Sequence, residues 1–261
     1  MLTLISPAKK LDLEQVKNPI EPTEPALFNQ TKILARTAKR QSAADLKKLM
    51  KLSDNLAELN ADRYKSFRLN GLSNSAKPAA LTFNGDVYGG LDAKTMTVAQ
   101  MRYAQKHLRI LSGLYGVLKP MDAIQPYRLE MGIRLENPRG KNLYEFWGNR
   151  ISKQLLNDLD GNKEKTVVNL ASNEYFKAVA KTLDAPIVTP AFLNVKDGQA
   201  RALMFYAKRA RGLMARWIID NKVENSADLL DFNVEGYKLN KKLSEDGKPV
   251  FTRKQPPPVN G

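Results

Sequence analysis

The sequence predicts a mixed α/β (α+β) fold: a single domain with a mixed sheet flanked by helices. Three observations carry that expectation. Short apolar runs of strand length, LTLIS at 2–6 and KTVVNLA at 165–171, are bounded by proline or polar residues. Longer stretches of helical period lie between them, at about 27–41, 54–67 and 205–220. The two kinds follow one another without a regular strand–helix–strand rhythm, with no repeat and no linker-like segment to split them. At 261 residues, 43% hydrophobic and 26% charged, the chain can bury a full core. One globular domain is expected over 1–254, with QPPPVNG at 255–261 as a disordered tail.

In order, LTLIS reads as a buried strand stopped by Pro7, and NPIEPTEP at 18–25 as an extended connector. A helix is expected from Leu27 to Gln41. A second opens at Ser42, with Asp45 placed for a capping box. A third runs from Asp54 to Phe67. After the polar stretch NGLSNSAKP, AALTFNGDVYGGL at 79–91 reads as a strand entering an Asn-Gly turn. Thr97 caps a helix to His107, and RIL leads into the glycine-containing stretch LSGLYGVLKPMD at 111–122. YRLEMGIRL at 127–135 alternates like a strand, and LYEFWGNRISKQLLNDL at 143–159 is helical. SNEYFKAVAKTL at 172–183 is a further helix, and PIVTPAFLNV at 186–195 a strand ending in an Asp-Gly turn. The helix at 205–220 and a hairpin around EDGKPVF complete the series.

Charge speaks of partners. The chain carries 42 Lys and Arg against 27 Asp and Glu, a formal net charge of +15. A polyanion, nucleic acid before an anionic membrane, is the natural complement. The positive charge is clustered: residues 201–216 hold five basic residues and no acid. Projected at about 100° per residue, Leu203, Tyr206, Ala207, Ala210, Leu213, Met214 and Trp217 share one face. Lys208, Arg209, Arg211 and Arg216 fall on the other, which presents them as DNA-binding residues. The chain has no cysteine and one histidine, so disulfides, thiol chemistry and zinc-finger sites are excluded. No metal site or cofactor is expected. The start MLTLISPAKK is too short for a signal peptide, and no run approaches the ~18 apolar residues of a membrane span, so a cytoplasmic protein is expected.

Gly113, Gly116 and Lys119 admit a phosphate cradle, in which backbone amides freed by glycine meet an anion beside a lysine. An ordinary turn competes with it on equal terms, because the G-x-x-G spacing departs from the G-x-G of a helix-hairpin-helix. Ser6-x-x-Lys9 and Ser53-Asp54-Asn55 match two of three penicillin-recognising motifs, but K-T-G is missing and chance explains the match.

Six phrases in order, SPAK (6–9), FNGDVYGGL (83–91), LSGLYGVLKPMDAIQPYRLEMG (111–132), NLASNEYFK (169–177), KRARGLMAR (208–216) and DFNVEGY (231–237), resemble the YaaA family of peroxide-stress proteins. The resemblance spans nearly the whole chain. It implies a cytosolic bacterial protein induced by hydrogen peroxide, limiting free iron and oxidative damage. It also implies a family-specific mixed α/β fold that binds duplex or branched DNA through a positive cleft and a helix-hairpin-helix-like element, with no established enzymatic activity. Gly113, Gly116, Lys119, Arg128, Lys208, Arg211 and Arg216 all fall within these phrases. With one histidine and no cysteine, any effect on iron is expected to be indirect.

Two functions follow. The first is a DNA-binding protein of the oxidative-stress response, held mostly by phosphate contacts and with little sequence preference. The second is an enzyme acting on a nucleotide or nucleic acid in a polar cleft. Its residues would come from Ser6, Lys9, Asn84, Asp86, Tyr88, Arg128, Glu130, Asn173, Glu174 and Tyr175, polar groups at turns and element ends. Asp86, Glu130 and Glu174 are the carboxylate candidates for catalysis, and Lys9 and Arg128 the candidates for stabilising negative charge. Convergence of these ten residues in one cleft is the deciding observation.

Overall fold

A computed structural model describes residues 1–14, 21–70 and 76–257. The first strand, β1 (Leu2–Ile5), is fully buried and sits at the centre of the main sheet. Three helices follow: α1 (Phe28–Lys39), α2 (Ala43–Met50) and α3 (Asp54–Ser66). The Ser42–Asp45 capping box forms as expected, Ser42 Oγ accepting from Asp45 N at 3.1 Å and Asp45 Oδ2 from Ser42 N at 3.0 Å.

The segment 79–91 departs from the sequence expectation. Ala79–Thr82 is a helical turn, Phe83–Asn84 pairs with Lys10–Leu11, and helix α4 (Asp86–Leu91) starts after Gly85. No hairpin forms at Asn84-Gly85, because the chain turns into a helix and packs Gly90 against a later one. Thr97 opens α5 (Val98–His107) with a second capping box, to Gln100.

Strand β2 (Leu108–Ser112) runs parallel to β1, and β3 (Gly116–Leu118) folds back on β2. Helix α6 (Arg150–Leu159) is separated from the helical turn Leu143–Trp147 by Gly148, whose φ of +50° ends that turn. Strand β4 (Val167–Leu170) pairs parallel to β1 on its other side, and β5 (Ile187–Val188) parallel to β4. The order is therefore β3-β2-β1-β4-β5, with only β3 antiparallel.

Pro190 divides the expected 186–195 strand between two sheets. Strand β6 (Ala191–Lys196) turns at Asp197-Gly198 into β7 (Gln199–Arg201), both turn residues having positive φ, as a two-residue hairpin needs. After helix α7 (Met204–Asp220), strands β8 (Lys238–Leu239) and β9 (Val250–Lys254) complete a second sheet, β7-β6-β9-β8. The hairpin expected around EDGKPVF is wider: Glu245–Lys248 is its turn and β8 and β9 its arms. Of the tail, Gln255 is tied to Val195 O at 2.9 Å, and 258–261 lie outside the described residues. Asn18–Ile20 of the connector and 71–75 also lie outside them.

YRLEMGIRL is irregular rather than a strand, although Tyr127, Leu129 and Met131 are buried. SNEYFKAVAKTL has one regular turn, Asn173–Phe176, and then turns. The fold is a mixed α/β domain, with helices against a largely parallel sheet. Among the described residues no helix is long and apolar enough to cross a membrane.

Helix α7 packs against α4, α5, β1 and β4. Its closest approach is to α4, where glycines face each other. A Cβ on Gly212 would stand 1.8 Å from Val87 O, and one on Gly90 would stand 2.2 Å from Arg209 O. The two backbones touch, and no other residue type permits that distance.

Candidate functional site

The parallel strands end on one side of the molecule, and the chain leaves β1 and β4 in loops that diverge there. From β1 the sequence proceeds to β2 on one side, while β4 lies on the other. In open α/β sheets such a switch of strand order leaves a crevice at the carboxyl ends. Ser6 follows β1 and Ser172 follows β4. Ser6 Oγ accepts from Ser172 N at 2.8 Å, which ties the two loops together.

A cavity of about 370 Å³ opens beside this tie, a volume that suits one nucleotide-sized ligand. Nine of the ten residues proposed from sequence for an enzymatic cleft line it; Asn173 alone does not. All five catalytic candidates, Lys9, Asp86, Arg128, Glu130 and Glu174, are in the wall. Sequence reasoning reached them because polar residues at strand ends and turns have few structural duties of their own. Lys10, Ser172 and Met204 were missed, and they carry no local signal.

The groups are fixed by distinct contacts. Glu130 is buried, and its Oε1 receives Lys9 Nζ at 3.1 Å and Arg128 Nη2 at 3.1 Å. The Arg128–Glu130 pair puts both side chains together, as expected for residues two apart, without the expected strand. Glu130 Oε2 has no partner among the described residues. Tyr64 OH donates to Arg128 O at 2.6 Å and holds this loop from below. Glu174 Oε1 accepts from Gly132 N at 2.9 Å, and Tyr88 OH donates to Ser6 O at 3.1 Å. Burial pushes the Tyr88 and Tyr175 hydroxyls well above their ordinary range, so both are neutral donors. Lys208 Nζ lies 4.0 Å from Asp86 Oδ2.

Arg211 differs from the other cations. It lines the cavity half-buried, burial alone disfavours its charge, and no acidic group among the described residues compensates it. Five cations, Lys9, Lys10, Arg128, Lys208 and Arg211, face three carboxylates in the wall. The cleft has an excess of positive charge with a desolvated guanidinium inside it.

The family described as peroxide stress protein YaaA matches residues 1–243. This chain belongs to that family. It is 50% identical to a UPF0246 protein of Phenylobacterium zucineum over 259 residues, covering 99% of this chain and 97% of the relative. A UPF0246 protein of Maricaulis maris is 48% identical over 258 residues, 98% and 97% of the two chains. A third, from Idiomarina loihiensis, is 49% identical over 254 residues, 97% of this chain and 98% of the relative.

In this YaaA-family chain the residues expected on a DNA surface separate into three groups. Arg128, Lys208 and Arg211 are in the cleft. Arg209 and Arg216 are consumed by internal contacts. Arg209 pairs with Glu235 at 2.6 Å and donates to Gly89 O, while Arg216 pairs with Asp220 at 2.8 Å and donates to Asp92 O. The expectation that all four basic residues of α7 face outward is corrected. The buried stripe runs through Ala207, Ala210, Met214 and Ile218, with Gly212 also buried against α4. That turns Arg211 toward the cleft and leaves Tyr206, Leu213 and Trp217 only half-buried.

The glycine stretch is also corrected. Gly113 and Gly116 are buried in the β2–β3 hairpin, so strand–turn–strand stands where a helix-hairpin-helix was expected. A Cβ on Gly113 would meet Leu129 O at 2.2 Å, and one on Gly116 would meet Trp147 at 2.7 Å. Gly116 also has φ +74°. These glycines admit neighbouring protein, not a phosphate. Lys119 follows β3 at the end of the sheet where β2 begins, since Leu118 pairs with Ile110 and Gly116 with Ser112. It therefore lies at the opposite end from Arg211, and the two do not line one groove.

Lys119 instead belongs to a buried polar knot. Arg109, 3% exposed, pairs with Asp158 at 2.6 Å, and Lys119 Nζ lies 4.0 Å from the same carboxylate. Asp122 accepts from Thr23 Oγ1 at 2.6 Å and from Lys119 N at 2.8 Å. Burial outweighs these contacts and the nearby cations, and pushes Asp122 up to about 6. A carboxyl raised on folding adds stability below its unfolded value near 4, and this is lost as pH rises through about 6. Urea unfolding at pH 4.5 and 7.5 should therefore show that Asp122→Asn removes a stability loss on the alkaline side. The variant-minus-wild-type difference must become more favourable at pH 7.5; an unchanged difference contradicts the assignment.

Proposed function

We propose that the protein serves the peroxide-stress response through the cleft at the ends of β1 and β4, where it takes up a nucleotide unit by its phosphate and acts on it. The unit is free or part of a nucleic acid, DNA being the polymer that the net charge of +15 favours. The observation that carries this reading is Arg211, a desolvated guanidinium with no counter-ion among the described residues, in a cavity of nucleotide size. A half-buried charge without an acidic neighbour is unfavourable unless a ligand completes it, and a planar guanidinium matches a phosphate with two parallel hydrogen bonds. Lys208, 4.0 Å from Asp86, lines the same cavity as a second positive charge.

The opposite wall supplies chemistry. Glu130, gripped through Oε1 by Lys9 and Arg128, is the group to accept or return a proton, with Asp86 the second carboxylate within the cavity. Lys9 and Arg128 are placed to stabilise charge that develops on the ligand. A DNA surface along the outside of α7 is the weaker reading, because Arg209 and Arg216 are neutralised by Glu235 and Asp220.

Titration calorimetry with nucleoside monophosphates and the matching nucleosides tests this. Monophosphates should bind, and removal of the phosphate should weaken binding by about tenfold or more, the effect of a charged hydrogen-bond pair. Equal affinity for nucleoside and nucleotide would remove the basis for the proposal.

A further inference from the structure

We propose that Met204, at the first turn of α7, is a reversible oxidation site through which hydrogen peroxide itself lowers the affinity of the cleft. The chemistry rests on the exposure of the sulfur and on its neighbouring cations. Only its consequence rests on the phosphate reading of the cleft. The chain has no cysteine, so its eight methionines are its only sulfur. Among the described residues Met204 alone of these is exposed, at 69%. Met96 and Met121 are half-buried against the core, and the others are buried. A thioether is apolar and polarisable, and its usual place is inside. Here one is set in solvent at the rim of a charged cavity.

Position matters as much as exposure. Met204, Lys208 and Arg211 stand at i, i+4 and i+7, on one face of the helix, and all three line the cleft. A lone pair on the sulfur displaces hydroxide from hydrogen peroxide: the S–O bond forms and the O–O bond breaks. The proton of the transferred hydroxyl passes to the departing hydroxide, which leaves as water. Sulfur is thereby oxidised by two electrons, and the peroxide is reduced by two. The charges of Lys208 and Arg211 favour a departing anion. The product is a sulfoxide, polar where the thioether was apolar, and its oxygen accepts hydrogen bonds that the sulfur accepts only weakly. Beside Lys208 and Arg211 that oxygen competes with a phosphate for the same donors. Methionine sulfoxide reductases reverse the step, two thiols becoming a disulfide with release of water.

The experiment treats the folded protein with hydrogen peroxide, removes the excess with catalase, and follows each methionine by peptide mass spectrometry. Met204 should be oxidised about tenfold faster than Met96 or Met121, and unfolding in urea should abolish the difference. Calorimetry with thymidine monophosphate should then show affinity about three- to tenfold weaker, restored by a sulfoxide reductase. Met204→Leu, compared with itself before and after peroxide, should show no such loss. Even oxidation of all the methionines, or of Met96 or Met121 first, overturns the site. Selective oxidation without a change in affinity, or the same loss in Met204→Leu, overturns the regulation. If the unoxidised protein binds no monophosphate, the phosphate reading fails and the regulation with it, while the mass spectrum still decides the oxidation site.

Discussion

Gly212→Ala should destabilise the protein by about 2–4 kcal/mol, although alanine is the better helix former by about 1 kcal/mol. The reversal of sign is the diagnostic. Gly212 lies in the interior of α7, where glycine is ordinarily a defect, but its added methyl would sit 1.8 Å from Val87 O and 2.8 Å from Leu91 N. Neither atom is a flexible side-chain end, so α4 must move. That movement carries Asp86 and Tyr88 away from Lys208 and Arg211, and nucleotide affinity should fall with stability. Gly89→Ala is the internal control. Its methyl would meet only Arg209 Nη1, at an ordinary 3.7 Å, so equilibrium urea unfolding should find it neutral or slightly stabilised. Equal effects at the two glycines would contradict the helix crossing described for α4 and α7.

Arg211→Ala should separate stability from function in the opposite way. Binding of a nucleoside monophosphate should weaken by about 1.5–3 kcal/mol, ten- to a hundredfold, as a charged hydrogen-bond partner is lost. Stability should hold or rise, because the substitution relieves a desolvated charge that no acidic neighbour among the described residues offsets. Arg209→Ala should do the reverse. It breaks the pair with Glu235 and the bond to Gly89 O, lowering stability with little effect on ligand affinity. Thermal melts and calorimetry on both variants check this. Parallel losses in Arg211→Ala would make it a structural residue like Arg209.

These contrasts also mark what was legible in the sequence. The strands around Leu4 and Val168 were readable because a fully buried parallel strand is a largely apolar run, here interrupted only by Thr3 and Asn169. Ser42 and Thr97 were readable because capping is local chemistry, fixed within three residues. Asp197-Gly198 was readable for the same reason, a two-residue turn with positive φ. The failures are tertiary. FNGDVYGGL has the residues of a hairpin turn, and only the crossing with α7 at Gly212 makes Gly90 a helical packing residue. LSGLYG has the residues of an anion loop, and only Trp147 and Leu129, distant in sequence, show what fills the space at Gly116 and Gly113. The inward face of α7 was legible at Ala207, Ala210 and Met214, which are buried, and at Leu213 and Trp217, which pack half-buried against the core; Gly212, which makes the closest contact, was not. The cleft itself was legible as a set of polar residues without local employment. Its charge balance was not, because the isolation of Arg211 depends on which acids fold away from it.

The most direct test of the central claim is a crystal structure of the protein with a bound nucleoside monophosphate. The account predicts the phosphate within hydrogen-bond distance of the Arg211 guanidinium, near Lys208, with the nucleoside in the cavity facing Glu130. A ligand held on the outer face of α7, or at Lys119 beyond the other end of the sheet, would contradict it.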